Sequence, residues 1–508
     1  MKPEWTLSVF MAGDNDLESL IQPKLKEMSS VASNNVAEIV VQYDDASSGE
    51  VCRQHMTFEE SPLPDALPES NTGNYETLRE FVRWSKREYP SERRFLVIWS
   101  HGLALDDDTH AAHAKGAIIE KLVRAKSSGS RGVKKGQIAA DAPLAPLTVN
   151  SMRSVLRILS PGLARNIFPK AALAQNCERI VDAISARETA DNPGAARAAK
   201  QRNREVISKM MIAPDVTSGD HLDTLELGIA LRPLPQDGPL DLLGFEACLM
   251  NTIEVAYQLR NAVKCIIGSQ SRIPESGWDY KDIVKQVLQE ASLSTHEVAK
   301  TIVNNAVPRL TSHQFATISA LDVSIIEDLA DAVTNLADAL RFAIAEEAVW
   351  RLVSDVHYET QAFGSSETVD LYDFCLKLSE RVDAAVAGPC AAMILRRTAL
   401  AVQRAIRDVV IASRPQGTSV MNAHGISIYF PKQSPRIPES YLKLDFARDT
   451  RWPFFLEEYL KKLFPEKSES EADGTGGGGH SDHEGHSDHE GPAHPMSKSR
   501  PKQLKKPA

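Results

Sequence analysis

Seven stretches of the 508-residue chain are dense in apolar residues over strand-like lengths: Thr6–Met11, Glu38–Tyr43, Phe95–Ser100, Leu242–Phe245, Lys264–Ser269, Phe315–Leu321 and Ile426–Phe430. Most run on without alternating apolar and polar positions. That pattern predicts strands covered on both faces. Between them the spacing lengthens to the helical period. Tyr75–Arg87 places Leu78, Phe81, Val82 and Ser85 on one face, and Thr252–Arg260 follows the fourth strand closely. Ile325–Glu347 and Ser379–Ile411 are Ala-rich and periodic. Strand and helix in alternation predict an α/β domain of three layers.

Residues 103–220 break this rhythm. They hold the Gly/Ser run Ser127–Gly132, the pair Lys134-Lys135 and a Pro/Ala-rich piece. Residues 111–220 carry 18 Lys+Arg against 9 Asp+Glu, whereas the rest carries 40 against 59. A basic insertion therefore sits in an acidic body. A solvated surface insertion explains it better than nucleic-acid binding, since the whole chain is −10. From Glu466 the apolar content vanishes, which predicts a disordered tail. This tail repeats His-Ser-Asp-His-Glu-Gly at 480–485 and 486–491 and ends in the basic cluster Lys498–Lys506. His-x-x-His there can hold zinc or nickel weakly. No segment reaches membrane-spanning length, and the N-terminus does not read as a leader, so a cytoplasmic protein without membrane partners is expected. The six cysteines show no metal spacing and are expected to be free thiols. The expected parts are 1–102, the insertion 103–220, 221–320, a helical part 321–465, and the tail 466–508.

Two apolar runs end in reactive groups. Phe95–Trp99 leads to Ser100-His101-Gly102, and Leu242–Phe245 leads to Glu246-Ala247-Cys248. Parallel strands share one carboxyl edge, where ligands bind. A thiol and an imidazole delivered there are the parts of a cysteine nucleophile and its base. Gly102 lets backbone approach a substrate carbonyl. Its amide and that of Cys248 are candidates for an oxyanion hole. On pattern alone, a cysteine behind a strand is more often core. A second His-Gly, His424-Gly425, precedes its strand and is expected to be structural.

The ordered segments resemble the clostripain family of cysteine peptidases, relatives of the caspases. Met11-Ala12-Gly13-Asp14-Asn15-Asp16-Leu17 is similar to the family's first strand and turn, Gly73–Gly102 to the approach to its His-Gly, and Asp241–Asn261 to its nucleophile segment. Ile267–Tyr280 is similar to its substrate loop, and His424–Leu460 to its C-terminal strand. The resemblance implies a caspase-like three-layer α/β/α sandwich with a mostly parallel sheet. It implies Cys248 as nucleophile and His101 as base, then acid. Glu246 stands where the family has an Asp that floors the P1 pocket, which implies cleavage after Arg or Lys. Ser269 and Gln270 are implied to line the cleft. It implies no required cofactor, although some members use calcium. The insertion lies where members carry a cleavable segment, so Arg124, Lys126, Arg131, Lys134 and Lys135 are expected processing sites of a zymogen, cut by itself or by an activating protease. The partners expected are peptide and protein substrates. The alternative is an idle caspase-like scaffold that binds basic peptides or partner proteins.

Overall fold

In a computed structural model of the chain the apolar runs form the middle of a nine-stranded sheet. The structure describes residues 2–103 and 211–465, apart from 32, 35, 46–49, 58–64, 69, 216, 275, 289, 291, 307–314, 365–366 and 386–388. The sheet's strands are β1 (Trp5–Met11), β2 (Ala37–Asp45), β3 (Glu50–His55), β4 (Asp65–Pro68), β5 (Arg93–Trp99), β6 (Leu240–Glu246), β7 (Val263–Gly268), β8 (Ala316–Asp322) and β9 (Val410–Gln416). Their spatial order is β9-β8-β7-β6-β5-β1-β2-β3-β4. The five strands β7, β6, β5, β1 and β2 are parallel, while β8 and β9 on one side and β3 and β4 on the other are antiparallel.

Helices cover both faces, which is why the central runs do not alternate. Leu96, Ile98, Leu243 and Phe245 pack on one face with α2 (Tyr75–Glu88), α3 (Ile253–Gln258) and the long helix Ile326–Ala343. Phe95, Val97 and Leu242 pack on the other face with α1 (Glu18–Ser29) and the helix Thr295–Ala306. Each fully buried Leu, Val or Phe contributes roughly 1.5–3 kcal/mol through removal from water. Helix starts follow their caps: the Asn74 side chain accepts from Glu76 N, and that of Thr252 accepts from Val255 N.

Three expectations change. Ile325–Glu347 resolves into Ile326–Ala343 followed by a separate helix, Glu347–Glu359. Ser379–Ile411 is two helices, Leu371–Ala385 and Pro389–Val409, with Pro389 at the first position of the second, where its missing N–H costs no helical bond. The run around Ile426 forms only Ser427–Tyr429. It belongs to a separate three-stranded sheet with Ala362–Phe363 and Thr368–Asp370, not to the main sheet. The edge strands β4 and β9, and β3 beside the edge, carry charged or polar positions and so lack the buried-strand signature.

The ends of the insertion are tied together. Gly102–Leu103 pairs with Met211–Asp215, Leu103 opposite Met211, and Asp220–Asp223 completes this small sheet. The described residues up to Phe464 belong to one compact unit. The expected parts 1–102, 221–320 and 321–465 are thus pieces of one body. The five expected processing residues and the His-rich tail lie outside the described residues. Among the described residues no helix is long and apolar enough to cross a membrane.

Candidate functional site

β5 and β6 are parallel neighbours in register, Trp99 opposite Glu246, and Ser100 N continues the ladder to Glu246 O at 3.3 Å. His101 and Cys248 each lie two residues beyond that pair, so both emerge at the same carboxyl edge. Gly102 confirms how close the two segments run. A Cβ added there would stand 2.2 Å from Cys248 O and 3.0 Å from Cys248 N. A side chain at 102 would therefore push apart the two segments that bear the thiol and the imidazole. The backbones named as oxyanion donors are side by side.

The imidazole is held from β1. Ala12 N bonds Trp99 O and Ser100 Oγ bonds Ala12 O, which brings the turn after β1 against the end of β5. Asn15 shapes that turn by donating to Ala12 O and Pro214 O and accepting from Leu17 N. Asp16 then meets His101, Oδ1 to Nε2 at 2.5 Å. Sequence reasoning had the Asp-Asn turn but no partner for His101. The acid after Asn15 was the available signal.

The thiol is mostly buried, and Ile273 N donates to its Sγ at 3.2 Å. Leu249, directly after it, has φ 63°, a left-handed conformation costly for a bulky residue. Its N–H bonds Ser271 O at 3.1 Å. The turn at Cys248 is thus strained and pinned by the strip Ser271–Ile273. Leu249, Phe363, Val420 and Ala423 pack around Cys248 in a small apolar cluster.

Glu246 does not present the open acidic floor that was expected. Its carboxylate accepts from Trp278 N at 2.7 Å and Tyr280 Oη at 2.5 Å, and Lys24 Nζ lies 3.5 Å away. The side chain is 2% exposed. Burial raises its pKa, against the opposing pull of Lys24. Ser269 and Gln270, whose backbone was expected to line the cleft, are fully buried and their side chains bond inward. Ser269 Oγ meets Thr317 Oγ1 and Ser271 O, while Gln270 bridges Asp370 and Gly425 N. The strip beside the thiol is Ser271–Ile273, because β7 ends at Gly268 and the next two residues turn beneath the surface. His424 bonds Asp370 through both its backbone N and Nδ1 and stacks on Tyr372, consistent with a structural role. The sheet-edge reason for that role fails, since its strand is outside the main sheet.

Beside the His101 turn, Asp14, Asp44 and Asp215 bring buried carboxylate oxygens within 4.8 Å of one another. Thr72 Oγ1 donates to Asp44 and Asp215, while Thr217 N and Ser218 N cap Asp14 and Asp215. Burial, then the nearby Asp14, raises Asp215 to about 7. Such hard oxygen donors suit calcium or magnesium rather than zinc.

A layered α/β/α fold with a thiol and a carboxylate-held imidazole at one sheet edge defines the class of molecule. The model of the clostripain family (peptidase family C11) matches residues 9–118 and 194–459, well over half of the chain. The chain belongs to that family of cysteine peptidases. Among solved structures it is similar to an inactive zymogen C11 protease from Parabacteroides distasonis, at 16% identity and TM-score 0.52, covering 89% of this chain and 99% of that one. It is also similar to a secreted C11 cysteine protease from Bacteroides thetaiotaomicron, at 14% identity and TM-score 0.52, covering 90% and 99%. These likenesses establish the caspase-like fold. No curated protein sequence matches the chain.

Proposed function

We propose that the chain is a cysteine endopeptidase working through Cys248 and His101. The observation that carries this reading is the β5–β6 register, which brings both groups two residues past one paired position. Asp16 accepts the Nε2 proton and so leaves Nδ1 as the basic nitrogen. Nδ1 takes the thiol proton as sulfur attacks the scissile carbonyl. The oxyanion forms beside the Gly102 and Cys248 backbones, whose N–H groups are its proposed donors. Collapse gives a thioester and the imidazolium protonates the leaving amine. Water, deprotonated by the same imidazole, then releases the acid. Glu246, the residue implied to select Arg or Lys at P1, already has Lys24 as counter-ion, so P1 choice turns on this pair. The calcium used by some family members finds suited donors in Asp14, Asp44 and Asp215, and no step above passes through it.

Zymogen control by cutting the insertion is supported by its anchoring. Leu103 and Met211 are paired, and Ala213 N bonds His101 O at 3.2 Å. Chain entering and leaving the insertion therefore passes the imidazole, which tethers the basic segment at high effective concentration. The family match passes over residues 119–193, which hold Arg124, Lys126, Arg131, Lys134 and Lys135. One experiment tests both parts. Wild type and Cys248→Ala are incubated side by side with a mixed peptide library, and new termini are mapped by mass spectrometry. Library cleavage, and cuts within 119–193, are expected only in wild type. Identical, intact products from both proteins would favour the idle scaffold.

A further inference from the structure

Lys24 lies on α1, far from Glu246 in sequence, and its ammonium is committed inside the molecule. Nζ donates to Ser276 O at 2.9 Å and Trp278 O at 2.6 Å, and it stands 3.5 Å from Glu246 Oε1 and 3.8 Å from Glu27 Oε2. The Tyr280 ring lies 5.4 Å below it. The Lys24 side chain is 8% exposed and that of Glu246 2%. Gly277 closes the assembly. With φ 58° it lays bare backbone over the carboxylate, where an added Cβ would stand 1.9 Å from Glu246 Oε1. The same segment begins at Ile273, whose N–H meets the Cys248 sulfur. The Lys24–Glu246 pair is thus built into the wall beside the nucleophile.

We propose that Lys24 is a specificity-determining residue: it satisfies Glu246 from inside, so the wall beside the thiol is electrically neutral and the peptidase does not select a cationic P1 residue. The proposal rests on the peptidase reading above. A carboxylate that selects arginine needs its charge unanswered until substrate arrives. Here an incoming guanidinium meets a closed pair and must displace a buried ammonium that would lose two carbonyl partners. Bringing a second cation beside a satisfied, desolvated pair is unfavourable. Uncharged P1 side chains carry no such penalty.

The test uses the full chain, before and after limited trypsin nicking stopped with a serine-protease inhibitor. Fluorogenic peptides differ only at P1, with Arg, Lys, Gln or norleucine. In wild type the kcat/KM ratio of Arg to norleucine is expected to stay within about tenfold, a difference of some 1.4 kcal/mol. Lys24→Gln keeps donors for the two carbonyls and removes the charge. It is expected to raise that ratio by about tenfold or more, and adding Glu246→Gln should cancel the rise. A wild-type preference for Arg above about a hundredfold that Glu246→Gln abolishes would overturn the proposal without any Lys24 variant. So would a folded Lys24→Gln protein whose ratio matches wild type. Turnover with a contrary ratio defeats this proposal alone. Absence of Cys248-dependent turnover on every peptide defeats the peptidase reading and this proposal with it.

Discussion

At the residue scale the proposed chemistry depends on which nitrogen of His101 faces Asp16. Asp16 meets Nε2; the acid after Asn15 is visible in the sequence, but its pairing with His101 is not. The contact exists because β1 and β5 are parallel neighbours whose ends meet through Ala12 and Ser100. Asp16→Asn leaves a hydrogen-bonding side chain but removes the charge that steadies the imidazolium. We expect kcat to fall by roughly 10²- to 10⁴-fold with KM little changed, as for carboxylates that orient a catalytic histidine. Steady-state kinetics on a cleaved peptide, with a melting curve for fold, checks this. An equal fall in kcat/KM with lost stability would instead mark Asp16 as structural. Glu246 illustrates the opposite limit of legibility. A carboxylate two residues before the thiol is plain in the sequence, but its answering ammonium is not. Lys24 reaches it only because α1 and the loop Ser276–Trp278 pack on the same sheet face.

At the element scale α3 joins the nucleophile to the C-terminal part of the chain. Glu254, in its first turn, is fully buried, accepts from Tyr429 N at 2.9 Å and Tyr441 Oη at 3.2 Å, and leaves Oε2 without a hydrogen bond among the described residues. Burial raises its carboxyl from 4.5 to about 7. Between those values the folded chain holds a proton that the unfolded chain has released. Stability from this group therefore falls as pH rises through that window and is level above it. Glu254→Gln keeps an acceptor and cannot ionise. Its melting temperature is expected to match wild type near pH 4 and exceed it progressively up to pH 8. A constant gap across thermal melts at successive pH values would contradict this. The element boundary at Pro389 was not readable, because the apolar period runs on across it from Ser379 to Ile411. Nor were those of β3, β4 and β9 readable, where pairing with a neighbour, not periodicity, makes the strand.

At the scale of the whole molecule the two ends of the insertion are joined in a small sheet beside the site. Both halves of a cut chain keep their strands in one body, so cleavage need not unfold it. Deleting 119–193, the residues the family match passes over, is expected to leave the melting temperature close to that of wild type. Under the proposed zymogen control it should also give turnover without an activation lag. Progress curves and melts of the two proteins check this. A shortened protein that is stable but as slow as the uncut chain would show that the insertion does not restrain the site.

The sequence by itself determined the layered α/β architecture, because helices on both faces demand strands apolar on both faces, and the central runs are such strands. It also determined the two chemical groups at strand ends, since His101 and Cys248 follow their apolar runs directly. The tertiary structure decided the charges around them. Asp16 finds His101, and Lys24 finds Glu246, through parallel pairing and helix-on-sheet packing between segments distant in the chain. Apolar patterning is written locally because burial is repeated at every turn or pleat. An ion pair is a single contact, and only the folded arrangement specifies its partner.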